Sequence, residues 1–332
     1  MVESGELKFW IENGLLVAFP DWEDWWIEGL HSDFSLHSRT IPIEAMGDLR
    51  VLHLRNCTVN HKSLQPLKTL RWLRMERCDV DSWIFEDGGI LEKLLSSNCT
   101  NVDSRWARYQ SSKVKLTEFE HNPTHVQEVF KKLKVLEIIC CSDVYMASQD
   151  FSLMPNLVKL VIDFPWTFDQ IPMSVWRFGK LEYLRITGAM EKLSSSISNL
   201  SSLQTLDLGG SYQLYELPKD LGDLAALRKL ILCDCALFEI PSSVVQLNHL
   251  RTLNVSGCWS LLCLPQLPSS LIILDASECT DLRQVADISS LKDLRTLNLD
   301  RCDELEGVPG LQNLKSLTFL KLPFHISQSE NL

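Results

Sequence analysis

A nine-residue phrase is written four times between Leu227 and Cys302, and it limits the possible folds more than any other feature of the chain. Its pattern is L-x-x-L-x-L-x-x-C, and successive copies start 23, 21 and 23 residues apart. Repetition at a period of this size is typical of a solenoid, in which each unit is too small to form its own core and must stack on its neighbours. The copies are LRKLILCDC (Leu227 to Cys235), LRTLNVSGC (Leu250 to Cys258), LIILDASEC (Leu271 to Cys279) and LRTLNLDRC (Leu294 to Cys302).

Apolar residues alternate with other residues inside each copy, as at Leu253 and Val255 or at Leu297 and Leu299. This period of two predicts a strand whose apolar residues face a core and whose neighbours face solvent. We expect the leading leucine and the closing cysteine to turn inward at the two ends of the strand. There the weak S–H donor of the cysteine can bind buried carbonyl oxygens.

A second phrase recurs between the strands. An apolar residue and a proline are followed by apolar residues at steps of three and four, which predicts a turn into a short, irregular helix on the outer surface. Helices that are broader than the strands should curve the stack into an arc. The phrase occurs at Ile171 to Leu181, Leu217 to Leu224 and Ile240 to Leu247.

The repeated phrase resembles that of leucine-rich-repeat proteins, and the resemblance covers nearly the whole chain. It implies an α/β solenoid shaped like a horseshoe, with a parallel sheet on the concave face and short irregular helices on the convex face. We count about 13 repeats within residues 46–325. Besides the four clear copies, units start at Leu49, Leu70, Leu91, Leu133, Leu157, Leu181, Leu203 and Leu317, and one further strand is placed at Val114 and Leu116. The alternative strand Leu116 to Phe119 leaves too few residues before the next copy.

The two ends of the chain lack the phrase. Residues 1–45 form a tryptophan-rich segment, which we expect to cap or link the solenoid because terminal units need covering. Asp33 to Leu36 is a candidate for a degenerate first strand. Lys8 to Val17, followed by Phe19 to Trp22, resembles the segment that leads from the nucleotide-binding module into the repeats of plant immune receptors. Residues 326–332 form a C-terminal tail.

Charge and cysteine usage limit the kinds of partner and the cellular compartment that suit this chain. A net charge of −11 disfavours nucleic acid as a partner. The apolar run Leu15 to Phe19 is too short for a secretory signal, and no stretch is long enough to span a membrane. Because most of the 11 cysteines occupy the closing position, their number follows from packing, and we expect reduced thiols. The sequence therefore predicts a cytoplasmic or nucleocytoplasmic protein.

Cysteine closure, irregular spacing and the convex segments most resemble the C-terminal domain of plant nucleotide-binding leucine-rich-repeat immune receptors. The stretch SGCWSLLCLPQLPSSLIILDASEC, from Ser256 to Cys279, carries this resemblance best. It implies recognition of a pathogen effector or a guarded host protein, and restraint of a nucleotide-binding (NB-ARC) module in cis or in trans. The chain has no G-x-x-x-x-G-K-[S/T] loop of its own. The alternative is a free-standing intracellular scaffold that binds a signalling protein such as a small GTPase.

The outward strand positions are the candidate protein-binding site, because they are rigidly held and are not needed to fill the core. The first repeats are basic there, and the later repeats are acidic. The resemblance implies that the basic part docks on the nucleotide-binding module, although an ordinary solvated face would look the same. The candidate residues are Arg50, His53, Arg55, Arg71, Trp72, Arg74, Arg77, Tyr183, Arg185, Asp207, Asp234, Asp275, Glu278 and Asp300.

Aromatic residues in or beside the outward positions are candidate anchors for a partner. Trp72 and Tyr183 lie within strands and are preferred, whereas we expect flanking loops to cover part of Trp166 and Trp259. The full set also includes Phe164, Tyr212 and Phe324.

No motif predicts catalysis, a cofactor or a metal. The pair Cys233 and Cys235 is split between the outward and inward faces by the alternation, and no second cysteine pair completes four zinc ligands. No base is placed beside a cysteine by any recognisable motif. We therefore expect a binding protein and not an enzyme.

Overall fold

The computed structural model describes residues 16–18, 25–27, 51–55, 58–59, 70–76, 79–80, 131–139, 152, 154–163, 171 and 173–329. The strands found there are β1 (Leu16–Ala18), β2 (Trp25–Ile27), β3 (Val51–Arg55), β4 (Thr58–Val59), β5 (Trp72–Glu76), β6 (Asp79–Val80), β7 (Val135–Ile139), β8 (Lys159–Asp163), β9 (Tyr183–Thr187), β10 (Thr205–Asp207), β11 (Lys229–Ile231), β12 (Thr252–Asn254), β13 (Cys263–Leu264), β14 (Ile273–Asp275), β15 (Gln284–Val285), β16 (Thr296–Asn298) and β17 (Phe319–Lys321). One α-helix, α1 (Phe324–Ser329), follows the last strand.

Eleven of these strands form one parallel sheet, in the order β3-β5-β7-β8-β9-β10-β11-β12-β14-β16-β17. The register repeats along the sheet: Leu230 pairs with Leu253, and Leu253 with Leu274. The same inward leucine of each repeat is therefore stacked on that of the next. This confirms the predicted solenoid with a parallel concave sheet.

The alternation of apolar residues also has the predicted orientation. Leu253, Val255, Leu297 and Leu299 are fully buried. A single continuous core runs between the sheet and the convex segments, and it contains the inward residues of the repeats from β5 to β16. Burial of such a column is the main stabilising term, at about 25 cal/mol per Å² of apolar surface.

The convex segments are 3-10 helices. Each predicted phrase contains one, and each of the last four helices ends at a leucine whose N–H closes the final turn, as Leu247 does on the carbonyl oxygen of Val244. Pro241 precedes one helix in extended conformation, which suits its fixed φ. The described helices are Met173–Arg177, Ser195–Asn199, Leu221–Asp223, Ser242–Gln246 and Leu311–Asn313.

Eleven of the about 13 predicted repeats are found as strands of the described sheet. β5 pairs directly with β7, with Leu73 beside Leu136 and Met75 beside Ile138. The two strands expected near Leu91 and Val114 lie outside the described residues, and they stay predictions.

The ends of the sheet differ from its middle. At the start, β1 and β2 form an antiparallel pair, and β2 contacts β3. The candidate strand at Asp33 to Leu36 lies outside the described residues. At the other end, Leu320 in β17 is 38% exposed, whereas the equivalent Leu297 is fully buried, because no further strand is described beside β17.

In the described residues no helix has the length and apolar character needed to cross a membrane.

Candidate functional site

The outward residues of the sheet form the candidate site. In its first half, charges on neighbouring strands neutralise one another. Glu137 is only 3% exposed and accepts from Arg74 at 3.3 Å and from Lys159 at 2.6 Å. Lys159 also lies over the ring of Tyr183, 5.1 Å from the centroid. The predicted basic surface is therefore compensated here by an acid that the sequence reasoning had not paired with it.

Arg185 and Asp207 form a second cross-strand pair, with Nη1 and Oδ2 separated by 3.2 Å. Asp207 is buried, and its Oδ1 accepts the N–H of Gly209 at 3.0 Å. Burial is the main cause that raises the pKa of the half-buried Tyr183, and the nearby Asp207 charge adds to it. These three residues form a connected polar patch, so Asp207 has a structural role in addition to its predicted one.

The remaining basic candidates are only partly described. Arg71 is half-buried, and its Nη1 donates to the carbonyl oxygen of Leu70 at 3.2 Å. His53 and Arg55 lie in β3 and Trp72 lies in β5, as predicted, but their side chains are outside the described residues. Arg50 and Arg77 are outside them entirely, as are Phe164 and Trp166. The role of these residues stays a prediction.

Asp275 ends β14 and organises the turn that follows. Its Oδ1 accepts the backbone N–H of Ser277 at 3.0 Å and the hydroxyl of Ser277 at 2.7 Å. Asn254 and Asn298 bind the turn in the same way in the neighbouring repeats. A short carboxylate or amide at this position therefore shapes the end of the strand.

The acidic candidates Asp234 and Glu278 have left-handed backbone conformations, with φ of 56° and 60°. Arg301 has the same conformation, at 59°, and Gly257 occupies the equivalent position at 70°. Asp234 and Glu278 are exposed at the edge where the strands end, which we call the carboxyl edge. Glu278 pairs with Arg301 at 3.0 Å.

Asp300 is the last of the acidic candidates, and Lys321 of the next repeat binds its Oδ2 at 2.6 Å. Together with Asp234, Asp275 and Glu278 it makes the carboxyl edge of β11 to β17 rich in acidic side chains. The acidic strip expected from the sequence is thus brought together on one edge, although part of it is already paired.

A basic row on the opposite edge was not among the predicted site residues. Arg228, Arg251 and Arg295 are exposed where the strands begin, at the amino edge, and among the described residues none of them forms an ion pair. Between the two edges the face carries the exposed apolar residues Ile273 and Phe319. The sequence signal was the arginine that follows the leading leucine in three of the four clear copies. Basic residues therefore lie at the edge where these strands begin, and acidic residues lie at the edge where they end. This polarity adds to the change from basic to acidic residues along the arc.

Among the described residues, most exposed aromatic side chains lie beyond the carboxyl edge. Trp259 is 44% exposed and Tyr212 is 55% exposed, whereas Tyr183 in β9 is half-buried. The expected partial cover over Trp259 leaves much of its ring accessible. Phe324 is exposed as well, at the start of α1.

The cysteine column is a packing feature. Cys235, Cys258, Cys279 and Cys302 are fully buried free thiols. Burial, followed by the nearby charges of Asp234 and Asp207, raises the pKa of Cys233, which opposes formation of a reactive thiolate. In the described ranges no three His, Cys, Asp or Glu side chains are grouped as metal ligands.

Comparison with known proteins identifies the fold. No protein-family model matches the chain, and no curated relative matches it. The ectodomain of the Arabidopsis thaliana membrane receptor kinase GASSHO1/SCHENGEN3, solved with CASPARIAN STRIP INTEGRITY FACTOR 2, is similar over 85% of this chain and 34% of its own, at 20% identity and a TM-score of 0.51.

Two further solved structures match less well. The Arabidopsis receptor kinase HAESA matches 77% of this chain and 42% of its own, at 16% identity and a TM-score of 0.46. The leucine-rich-repeat domain of the type III effector XopL matches 54% of this chain and 72% of its own, at 22% identity and a TM-score of 0.42. The chain thus spans less than half the length of the two plant receptors. The repeat register, the buried columns and the parallel sheet, together with the similarity to the GASSHO1/SCHENGEN3 ectodomain, establish that the chain forms a leucine-rich-repeat solenoid.

Proposed function

We propose that this chain is the protein-recognition domain of a plant innate immune receptor of the nucleotide-binding leucine-rich-repeat class. It binds a pathogen effector or a guarded host protein on the concave face of β11 to β17. The observation that carries the proposal is the composition of that face, where Ile273 and Phe319 lie between a row of arginines and a row of acids. Apolar anchors flanked by both signs of charge suit a folded protein partner better than a small ligand.

The cysteine column supports the assignment to this receptor class. The closing cysteines in the described residues are free, buried and in contact with backbone carbonyls; they are Cys235, Cys258, Cys279 and Cys302. Free thiols of this kind suit a reducing compartment, which favours the proposed cytoplasmic location. The function proposed is binding, since the described part of the surface is strongly polarised and offers contacts to a partner.

The first half of the sheet supports a second element of the proposal, contact with a nucleotide-binding module. Arg71 and Arg74 are both partly accessible on or beside β5. This region would add a basic patch to an autoinhibitory interface. Charge reversal of Arg71 and Arg74 should then weaken association with an NB-ARC module supplied in trans, and unchanged association would remove this element.

A two-hybrid screen of the chain against a library of plant-pathogen effectors and plant proteins tests the recognition proposal. Ile273→Glu should abolish the interactions recovered, because it places a charge in the centre of the face. Val245→Glu is the matched control, since Val245 is about as exposed but lies on a convex 3-10 helix. Equal loss with both variants, or none with Ile273→Glu, would place recognition elsewhere. Recovery of only small GTPases or phosphatase subunits would favour the free-standing scaffold instead.

A further inference from the structure

A column of apolar side chains crosses three repeats on the flank beyond the carboxyl edge. Tyr215, Phe238 and Leu262 each follow a buried leucine at the same place in their repeats. The rings of Tyr215 and Phe238 are 6.4 Å apart between centroids, and the N–H of Leu262 donates to the carbonyl oxygen of Phe238. Phe238 is 54% exposed and Leu262 is 48% exposed. The two rings are therefore neighbours, Leu262 lies in the adjacent repeat, and the side chains of Phe238 and Leu262 are open to solvent.

A second row of residues lies beside this column. Tyr212, Ala236 and Trp259 each come directly after the closing residue of their repeat. The closing residues themselves are stacked by their hydrogen bonds to the preceding repeat. Neighbouring strands of a sheet are spaced by roughly 5 Å, so the backbones of Tyr212 and Trp259 lie about 10 Å apart. The small Ala236 therefore occupies the position between two exposed aromatic residues.

Acidic side chains surround these two rows, which we call the aromatic flank. Glu216 and Glu239 are exposed directly after Tyr215 and Phe238, and the N–H of Asp281 donates to the carbonyl oxygen of Trp259. On the concave side, the Asp234 carboxylate lies against Gly257, two residues before Trp259. Glu191 completes the rim, since its carbonyl oxygen accepts the N–H of Tyr215.

Two basic side chains are also present, and one of them shows how a cation can bind here. Lys192 lies over the ring of Tyr215, 5.2 Å from the centroid, while it pairs with Glu216 at 2.5 Å. Arg283 is at the far end of the column, beside Leu262. The acidic residues of the rim outnumber these two basic residues. The rim therefore has a negative electrostatic potential around an apolar centre.

We propose that the aromatic flank is a second docking surface, separate from the concave face, and that its partner is a basic, amphipathic segment of another protein. An apolar side chain of that segment lies over Ala236 between Tyr212 and Trp259. Its lysine or arginine side chains pair with Glu239, Asp281 and Asp234 or lie over the exposed rings, as Lys192 already does.

The charge of the rim argues against other occupants. A second copy of this chain would bring a net charge of −11 and the same acidic rim against itself. A nucleic acid or an anionic membrane would be repelled in the same way. A contiguous exposed apolar patch rimmed by polar residues is otherwise typical of a protein-binding site. The inference does not depend on the concave face, and it stands or falls separately from the proposed function.

Three fluorescent 14-residue peptides test the proposal by fluorescence polarisation with the full chain. The first combines lysine with leucine and phenylalanine in an amphipathic order, the second replaces each lysine with glutamate, and the third replaces each apolar residue with serine. The first should bind at least about tenfold more tightly than either of the others. Equal binding of the lysine and glutamate peptides would overturn the proposal, because the acidic rim would then have no role.

Two variants on the flank locate the binding. Phe238→Ser combined with Trp259→Ser should weaken the first peptide by about tenfold or more. Glu239→Lys combined with Asp281→Lys should do so too, and it changes only exposed charges, which keeps the test valid if the first variant folds poorly. Ile273→Glu on the concave face is the control and should leave binding unchanged. Unchanged binding in both flank variants, or a loss with Ile273→Glu, would refute the flank as the site.

Discussion

The thiol of Cys302 donates a 3.0 Å hydrogen bond to the carbonyl oxygen of Ala276, the second inward strand residue of the preceding repeat. Cys279 binds Val255 in the same way at 3.1 Å, and Cys258 binds Leu232 at 3.0 Å. Each bond forms just after the strand. There the backbone N–H groups stop bonding to the neighbouring repeat and begin to bond within their own, as the N–H of Cys258 does to the carbonyl oxygen of Val255. The closing cysteine therefore connects one repeat to the next while it fills the core.

Replacing Cys279 by alanine should lower the free energy of unfolding by about 1–3 kcal/mol, because a buried carbonyl loses its donor and a small cavity is left. Cys279→Ser keeps a donor and should lose less. The chain itself carries a precedent, since the buried Ser211 closes its repeat and its Oγ lies 3.5 Å from the carbonyl oxygen of Ile186. Urea denaturation of the two variants measures the difference. If serine costs as much as alanine, the hydrogen bond contributes nothing.

Leu297→Ala and Leu320→Ala make the same chemical change at the same repeat position in different surroundings. Leu297 is fully buried between β14 and β17, so its truncation should cost about 2–5 kcal/mol. Leu320 is partly exposed in the edge strand, and its truncation should cost about 1 kcal/mol. Denaturant unfolding again provides the measurement. Similar losses at both positions would show that something covers β17 in solution.

Two substitutions at the position before the closing cysteine should have opposite effects on the stability of the fold. Glu278→Gly should stabilise the fold by about 0.5–1 kcal/mol, because a left-handed conformation costs a non-glycine residue roughly 1–2 kcal/mol and glycine loses part of that gain as chain entropy. The ion pair to Arg301 that would be lost is exposed and contributes little.

Gly257→Ala should instead destabilise by about 1–3 kcal/mol. Alanine would be strained at a φ of 70°, and its Cβ would overlap the Asp234 carboxylate. Melting temperatures of the two variants should therefore move in opposite directions from that of the parent chain. A rise in both would mean that this turn is not held in the left-handed conformation.

Much of the fold could be predicted because the repeat pattern depends on alternation and spacing within a single repeat. The inward columns at Leu253 and Val255, the buried closing cysteines and the convex helix at Ser242–Gln246 all follow from alternation and spacing within one unit. The direct pairing of β5 with β7 could not be predicted in this way. Strand neighbours depend on which apolar columns stack best in three dimensions, and a local pattern at Leu91 does not report that.

The candidate site was less accessible to sequence reasoning. The outward positions could be assigned, but the pairing of Arg185 with Asp207 joins residues 22 positions apart and depends on the register of two strands. Tyr212 and Trp259 of the aromatic flank were recognised as candidate anchors, but Phe238 and Leu262 were missed because they lie outside the strands, where no periodicity distinguishes an exposed residue from a covered one. Only the stacking of successive turns brings them together.

Alkylation should separate the cysteines by burial. Iodoacetamide at pH 8 should modify the exposed Cys263 and spare Cys258 and Cys279, because only an accessible thiolate reacts. The three cysteines occur on one tryptic peptide, residues 252–283, so mass spectrometry compares them within a single molecule. Modification of Cys258 at the same rate as Cys263 would contradict the buried column.

The same column predicts a loss of stability at alkaline pH. Burial raises the pKa of Cys258 to about 12 from its ordinary value near 9.0. The folded chain therefore holds this proton more tightly than the unfolded chain does. Its contribution is complete below pH 9.0 and is lost as the pH rises from 9.0 toward about 12. Unfolding free energies at pH 8 and pH 10 should show a fall that is smaller in Cys258→Ser, whose hydroxyl does not ionise in this range.

Glu137 tests whether the polar network on the first half of the sheet is structural. Glu137→Gln removes a nearly buried charge that binds both Arg74 and Lys159, and it leaves two cations facing each other across β7. The glutamine oxygen can still accept from one of them, so we expect a loss of about 1–3 kcal/mol in the free energy of unfolding. Glu182→Gln, at an exposed position just before β9, is the control and should change stability by less than about 0.5 kcal/mol. Equal effects of the two substitutions would mean that the cations are solvated without Glu137, and that this part of the face is as basic as the sequence first indicated.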